Sequence, residues 1–223
     1  PAQDHQTGSA LPEPSLEKIA DNVWIHKSYK IIEPWGPILS QGLVIDTDDR
    51  VLLVDTAWTN EETEILLDLI KKETGRLPEK AIVTHAHADK MGGMDVLHGK
   101  DVHTLAHEYS NEDAPERNLT PAQQSITMEE NDKFIIEAPD SSIQYEIYYP
   151  GAGHTRDNIV VYYAPAKVLF GGCLIRPGKS NNLGNTADGD VGHWAQAVRN
   201  VADTFPEAEI VIPSHGPMGG REL

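Results

Sequence analysis

Two imidazoles and a carboxylate, each two residues apart, stand in the stretch Ile82-Val83-Thr84-His85-Ala86-His87-Ala88-Asp89-Lys90-Met91-Gly92-Gly93. Two neutral nitrogens and one anionic oxygen make a ligand set suited to zinc. In extended backbone, residues i, i+2 and i+4 project to one side, whereas residues two apart on a helix do not face each other. His85, His87 and Asp89 are therefore expected on an extended or looped segment that follows the apolar strand Ala81 to Val83, with Gly92-Gly93 releasing the chain into a helix. The competing reading is a surface loop that happens to contain histidine.

Four further features extend the first. His154 lies in the Gly-rich turn Tyr149-Pro150-Gly151-Ala152-Gly153-His154-Thr155, and the lone Cys173 follows Gly171-Gly172. His215 stands in Ser214-His215-Gly216, and Asp55 closes the apolar run Val51 to Val54. Taken singly, a cysteine after a strand is usually a small buried hydrophobe, and a glycine-flanked histidine is usually part of a turn. Repetition changes this reading, because every candidate follows the C-terminal end of an expected strand, where open sheets place their sites. Six ligands exceed what one tetrahedral zinc takes. By type they sort into His85, His87 and His154, a neutral set with room for water, and Asp89, Cys173 and His215, a softer and more anionic set. A metal would keep that thiolate deprotonated, and two neighbouring zinc ions can stabilise both ends of a hydrolytic displacement.

The elements that must position these residues follow from pattern. Val23 to Tyr29 and Gly42 to Ile45 read as strands joined through Glu33-Pro34-Trp35-Gly36-Pro37, a hairpin tip. After the strand Val51 to Asp55, Thr59 and Glu62 have capping-box spacing and Ile65, Leu66, Leu69 and Ile70 are expected to form one apolar face. Gly75 and Pro78 stop that helix. Val102 to Ala106, Ile143 to Tyr149, Ile159 to Ala164 and Val168 to Gly171 read as strands, and residues 108–125 as a loop or irregular helix joining two halves. Gly192 to Phe205 reads as a helix with the stripe Trp194, Val198, Val201 and Phe205, before a last strand Glu209 to Ile212. The alternation predicts two similar halves in an α/β arrangement.

Composition narrows the function. With 35 Asp+Glu against 18 Lys+Arg the formal charge is −17. Nucleic acid is disfavoured as a partner, since phosphate recognition needs basic surface, while divalent cations would be drawn towards an acidic cleft. A merely well-solvated surface accounts for much of the charge as well. No run approaches the ~18 apolar residues of a membrane span. No signal peptide is visible, and the polar start resembles a mature N-terminus from which one has been removed. Residues 1–22 are expected to form a flexible segment ahead of one domain over residues 23–223. Cys173 is the only cysteine, so no intramolecular disulfide can form.

The ordered set His-x-His-x-Asp, Pro-Gly-x-Gly-His-Thr, Gly-Gly-Cys and Ser-His-Gly resembles the class B β-lactamases, subclass B1, and in wording the New Delhi type most closely. The resemblance runs from about Val23 to His215. It implies an αββα sandwich, two zinc ions held by the six residues above, and hydrolysis of penicillins, cephalosporins and carbapenems by a periplasmic monomer. It further implies that Asp89 positions the nucleophile and that Asn185 lies near the lactam carbonyl. Arg176 stands where many relatives carry a lysine that pairs with the substrate carboxylate, and Lys179 is the alternative, because arginine changes reach and geometry. Trp35 matches a mobile flap over substrate. Asp55 matches an acid expected to hydrogen-bond near His87 or Asp89, and Lys90 a balancing charge beside the second metal. A solvated surface role for Arg176, a turn role for Asn185, core packing for Trp35 and a structural role for Asp55 and Lys90 stay open. His5, His26, His98, His103, His107 and His193 read as surface or packing residues. Relatives continue past the last histidine into a helix. Only eight residues follow His215 here, so either the sequence stops short of that helix or the helix is absent and one face of the sheet is less covered. Thioesterases and lactonases of the same fold usually carry histidine after the motif aspartate and aspartate in place of the cysteine. Lys90 and Cys173 depart from both, and a closed zinc-holding module is disfavoured by the open three-histidine set.

Overall fold

Apolar residues alternate along the strands, so each sheet offers one face to a shared core and the other to helices. The computed structural model describes residues 11–47, 50–137 and 143–223, with the side chains of residues 137, 143 and 144 left aside. The first sheet runs in chain order: β1 (Ser15–Ala20), β2 (Val23–Ile32), β3 (Gly36–Asp46), β4 (Val51–Val54), β5 (Lys80–Val83), β6 (His103–His107) and β7 (Gln124–Ile126). Pairing is antiparallel from β1 to β4 and parallel from β4 to β7. Parallel neighbours need crossovers. Helix α1 (Asn60–Thr74) makes one, α2 (Ala88–Met91) with α3 (Met94–Gly99) the next, and α4 (Glu108–Asp113) with a short 3-10 turn (Pro115–Arg117) the third.

The second sheet is ordered β12-β11-β10-β9-β8, from β8 (Lys133–Glu137), β9 (Ile143–Tyr148), β10 (Val160–Tyr163), β11 (Val168–Gly172) and β12 (Ile210–Pro213). Helix α5 (Val191–Thr204) crosses between the parallel pair β11 and β12. Leu43, Ile45, Leu52, Val54 and Ile82 of the first sheet meet Ile147, Val161, Phe170 and Ile212 of the second in a buried core. Their neighbours Val44, Val51, Leu53 and Val83 face Leu66, Leu67, Ile70 and Leu97 of the helices. Trp194, Ala197 and Val201 of α5 cover the outside of the second sheet. The result is the expected four-layer αββα sandwich.

Several expectations need correction. The halves are unequal, with seven strands against five. Strand β1 lies inside the segment expected to be flexible, since Ser15 to Ala20 pairs with β2 along the sheet edge; residues 1–10 lie outside the described residues. Its alternation is shallow because an edge strand buries little. Residues 108–125 do form an irregular helix, α4 with its 3-10 turn, but then run into β7, which the reading did not include, and β8 was missed altogether for the same shallow patterning. On α1 the buried stripe is Thr63, Leu66, Leu67 and Ile70, while Ile65 is exposed. A four-residue offset carries Thr63 to Leu67, one position beyond the face read from sequence. The cap is as expected: the Thr59 hydroxyl accepts from the Glu62 amide at 3.2 Å, and Gly75 closes the helix in the left-handed conformation at φ 80°. Residues 214–223 carry no helix. They turn back so that Gly219 pairs with Val211, and Leu223 reaches the apolar cluster under α5.

Candidate metal centre

All six candidate ligands sit on the segments that follow strand ends, at one rim between the sheets. His85 and His87 follow β5, His154 follows β9, Cys173 follows β11 and His215 follows β12. Backbone bonds within and between the sheets hold these segments together. The Ile159 amide donates to Thr84 O at 2.9 Å, the Ser214 amide to Gly172 O at 2.9 Å and the Gln41 amide to Ser214 O at 2.9 Å. The Gln41 side chain adds bonds to Pro213 O at 2.8 Å and Gly216 O at 2.7 Å. Gly172 has φ 58°, a conformation that costs a side-chain-bearing residue about 1 kcal/mol or more. It turns the chain out of β11 so that Cys173 points inward.

The three nitrogens converge. His87 Nδ1 lies 3.1 Å from His85 Nε2 and 3.2 Å from His154 Nε2, with the three rings mutually edge-on. Tetrahedral zinc with bonds of about 2.05 Å would hold its nitrogens about 3.3 Å apart. Beside them, Cys173 Sγ lies 3.2 Å from His215 Nε2 and 3.7 Å from Asp89 Oδ2, and His215 Nε2 lies 3.5 Å from that oxygen. The ligand atoms of His85, Asp89 and Cys173 also lie within 4.8 Å of one another, so the two sets adjoin. Asp89 arrives differently from expectation. It occupies the first turn of α2, not an extended strand. The backbone bends after His87, and the helical turn swings the carboxylate away from the histidine trio into the second set.

Non-ligating nitrogens are held as metal binding requires, since the partner of one ring nitrogen decides which other nitrogen is free. His215 Nδ1 donates to Leu39 O at 2.6 Å, leaving Nε2 towards Cys173. His87 Nε2 donates to Asp188 Oδ2 at 2.8 Å, leaving Nδ1 towards the trio. His85 Nδ1 lies 3.3 Å from Thr84 Oγ1, which donates in turn to Asp55 Oδ2 at 2.9 Å. Asp55 thus acts through Thr84 on His85, reaches Asp89 only through the Lys90 ammonium that both carboxylates share, and also takes the Thr84 amide at 2.7 Å. Its φ of 64° is strained for an aspartate and is fixed by those bonds.

Lys90 is fully buried among the acids of the candidate second set. Its Nζ lies 3.2 Å from Asp89 Oδ2 and 3.6 Å from Asp55 Oδ2, and donates to Ser40 Oγ at 2.8 Å and Gln41 O at 3.0 Å. Burial is the largest single influence and would raise the Asp89 carboxyl, but Lys90, His215 and His85 together hold the group below the usual carboxylate range. Burial likewise opposes ionisation of Cys173, yet His215 and Lys90 hold the thiol well below its ordinary value. Burial and then the neighbouring His85 push the His87 imidazole down to about 4, so it is neutral at pH 7. An anionic sulfur, an anionic oxygen and the neutral His87 are donor states a divalent ion needs, whereas Cys173 and Asp89, against burial, hold His215 up to about 9, so a metal would displace its proton.

The centre forms the floor of a cleft of about 880 Å³ whose lining includes Trp35, Trp58, Arg117, Arg176, Asn185 and Asp188. Trp35 is 68% exposed at the tip between β2 and β3, so core packing is excluded for it. Arg176 is half-buried beside Gly184 and has no carboxylate partner among the described residues. Lys179 is exposed and lies outside the cleft lining. Asn185 Oδ1 accepts from the Ala187 amide at 3.1 Å, the turn role considered for it, while the residue still faces the cleft. Sequence reading missed Ser40, Gln41, Thr84 and Asp188. Thr84 was adjacent to the motif, but the others meet the centre only through the fold.

Comparison with known proteins agrees with this geometry. The profile of the Metallo-beta-lactamase superfamily matches residues 35–215. The chain belongs to that superfamily. It is 35% identical to the metallo-beta-lactamase type 2 of Bacillus cereus over 94% of this chain and 79% of that protein. The crystal structure of a metallo-β-lactamase from Hirschia baltica superposes with TM-score 0.88 at 43% identity, over 95% of this chain and 94% of that one. The mono-zinc form of FIM-1 from Pseudomonas aeruginosa gives TM-score 0.87 at 43% identity, covering 95% and 91%. As a metallo-β-lactamase superfamily member, the chain has a ligand cluster consistent with a metal-dependent hydrolase.

Proposed function

We propose that this protein hydrolyses the β-lactam amide of penicillins, cephalosporins and carbapenems with two zinc ions, as a subclass B1 enzyme. The observation that carries the reading is the pair of adjoining ligand sets, one neutral and one with a buried thiol, on the floor of an open cleft. His85, His87 and His154 would hold one zinc, and Asp89, Cys173 and His215 the other. When bound, zinc supplies Lewis acidity and a water nucleophile active at neutral pH.

The chain's own groups then have separable tasks. Asp89, anchored by Lys90 and Ser40, positions the attacking nucleophile. Arg176 is the proposed partner of the substrate carboxylate, supported by its place on the cleft wall without an acidic partner. Lys179 would have to move to serve instead. Asn185 presents its amide Nδ2, unpartnered among the described residues, towards the lactam carbonyl, where a donor stabilises developing negative charge. Trp35 closes over the apolar part of the substrate and excludes water. Cys173 is committed to metal, and no other side chain in the cluster is a covalent nucleophile, so no acyl-enzyme forms.

Zinc per chain, measured together with nitrocefin turnover with and without chelator, tests the reading. We expect close to two zinc ions and turnover that chelation abolishes and zinc restores. Zinc binding without hydrolysis would mark a holding module. Hydrolysis of a thioester or lactone alone would mark a different hydrolase on this fold. No helix among the described residues is long and apolar enough to cross a membrane. A periplasmic monomer is the proposed form, to be checked by osmotic-shock release and light scattering.

A further inference from the structure

One cation of the cleft wall takes no part in the chemistry above. Arg117 ends the 3-10 turn after α4, and Asn118 behind it adopts φ 56°, which turns the chain back under the cleft. Its Nη1 donates to Ala86 O at 2.8 Å. Ala86 is the residue between His85 and His87, and its amide donates to the buried Asp157 Oδ2 at 2.8 Å. The segment joining the two imidazoles is therefore gripped by side chains from both directions.

The other arm of the guanidinium faces two acids. Nη2 lies 3.5 Å from Asp113 Oδ2 and 3.7 Å from Asp188 Oδ1. Asp188 uses its second oxygen, Oδ2, for His87 Nε2. Asp113 in turn takes Arg156 at 2.6 Å. Charges thus alternate from the surface inward through Arg156, Asp113, Arg117 and Asp188, and the series ends on the neutral His87. Asp188 is 41% exposed on a loop without helix or strand, and His87 and Arg117 are its side-chain partners. Two carboxylates offset the charge of Arg117, which makes it a poor anchor for a substrate anion, in contrast to Arg176.

We propose that Arg117 is a positioning residue for the three-histidine site, holding Asp188 on His87 Nε2 so that Nδ1 is left unprotonated and aimed at the metal. The proposal rests on the zinc-site reading above. Arginine suits the task because its planar fork reaches the Ala86 carbonyl and both acids at once, whereas a lysine ammonium is a single point charge. Such partly exposed ion pairs add little to global stability. The effect therefore belongs at the metal site.

The test compares Arg117→Met, Arg117→Lys and Asp188→Asn in the full chain. Long-range proton–nitrogen NMR of the metal-free protein reads the His87 tautomer, and competition with a chromophoric chelator reads zinc affinity at each site. We expect Arg117→Met to mix the His87 tautomers and weaken zinc at the three-histidine site about 10–100-fold, the usual loss when a partner of a ligand is removed. The Cys173 site and the unfolding midpoint of the metal-free chain should be unchanged, and Arg117→Lys should recover part of the loss. Asp188→Asn should reproduce the signature should Arg117→Met fold poorly. Parent-like tautomer and affinity in the folded variants would overturn the proposal. The tautomer readout needs neither zinc nor a β-lactam, so absent turnover would count against the hydrolase reading alone.

Discussion

Cys173 shows how far one side chain's chemistry depends on its neighbours. A buried thiol ordinarily resists ionisation, yet here His215, Lys90, His85 and His154 together outweigh burial. Serine at this position would keep a similar shape, but its hydroxyl stays protonated at pH 7 and is a poor zinc ligand. Cys173→Ser should reduce bound zinc from two per chain towards one, with the three-histidine site still loaded. Turnover should fall at least about tenfold, in line with losses on disturbing ligand shells. Metal analysis alongside steady-state kinetics checks this, and an unchanged rate would remove the sulfur from the centre. Asp55 makes the complementary point. Its strained φ and its place at a strand end mark it out, but its action through Thr84 on His85 became readable only once both strands were in place.

Elements that carry the centre must also tolerate polar groups in their interiors. Strand β2 buries His26, whose Nε2 lies 3.1 Å from both Val54 O and Asp55 O beneath the anionic ligand set. Sequence reading left it as a surface or packing residue, and the second is correct. Burial pushes this imidazole down to about 4 from an ordinary 6.5. Because the folded value lies below the unfolded one, the unfolded chain binds more protons between them, and stability is lost as pH falls through that window. The loss attributable to His26 is about 3 kcal/mol from pH 6.5 to 4. Asp55, raised to about 6 chiefly by burial, acts in the opposite sense over part of the same range, so a variant comparison is needed. Urea unfolding of parent and His26→Gln in the presence of chelator should show the parent's advantage shrinking towards low pH. Parallel profiles would refute the assignment. Among elements, α1 was the most legible, through its cap and its stop glycine. The edge strands β1 and β8 were the least, because half-exposed edges carry weak apolar alternation.

At the scale of the whole molecule, the metal centre is assembled from both sheets, so ligand binding and folding are linked. A ligand that binds only the folded chain stabilises it by about 4 kcal/mol per site at a thousandfold excess over its dissociation constant. Thermal unfolding with zinc should therefore occur at a clearly higher midpoint than with chelator, while magnesium, which prefers all-oxygen sites, should not substitute. Equal midpoints would mean that the six side chains do not hold metal in solution. By itself, the sequence determined the candidate ligand types, their proposed division into a nitrogen set and a thiolate-containing set, and the strand ends that carry them. Those are local matters of residue chemistry and period-two patterning. Tertiary structure decided that Asp89 turns on a short helix into the sulfur-bearing set, that Asp55 acts through Thr84, and that Ser40, Gln41 and Asp188 complete the surroundings. His87 and Asp188 lie 101 positions apart, and only the stacking of two sheets over a common core brings such residues into contact.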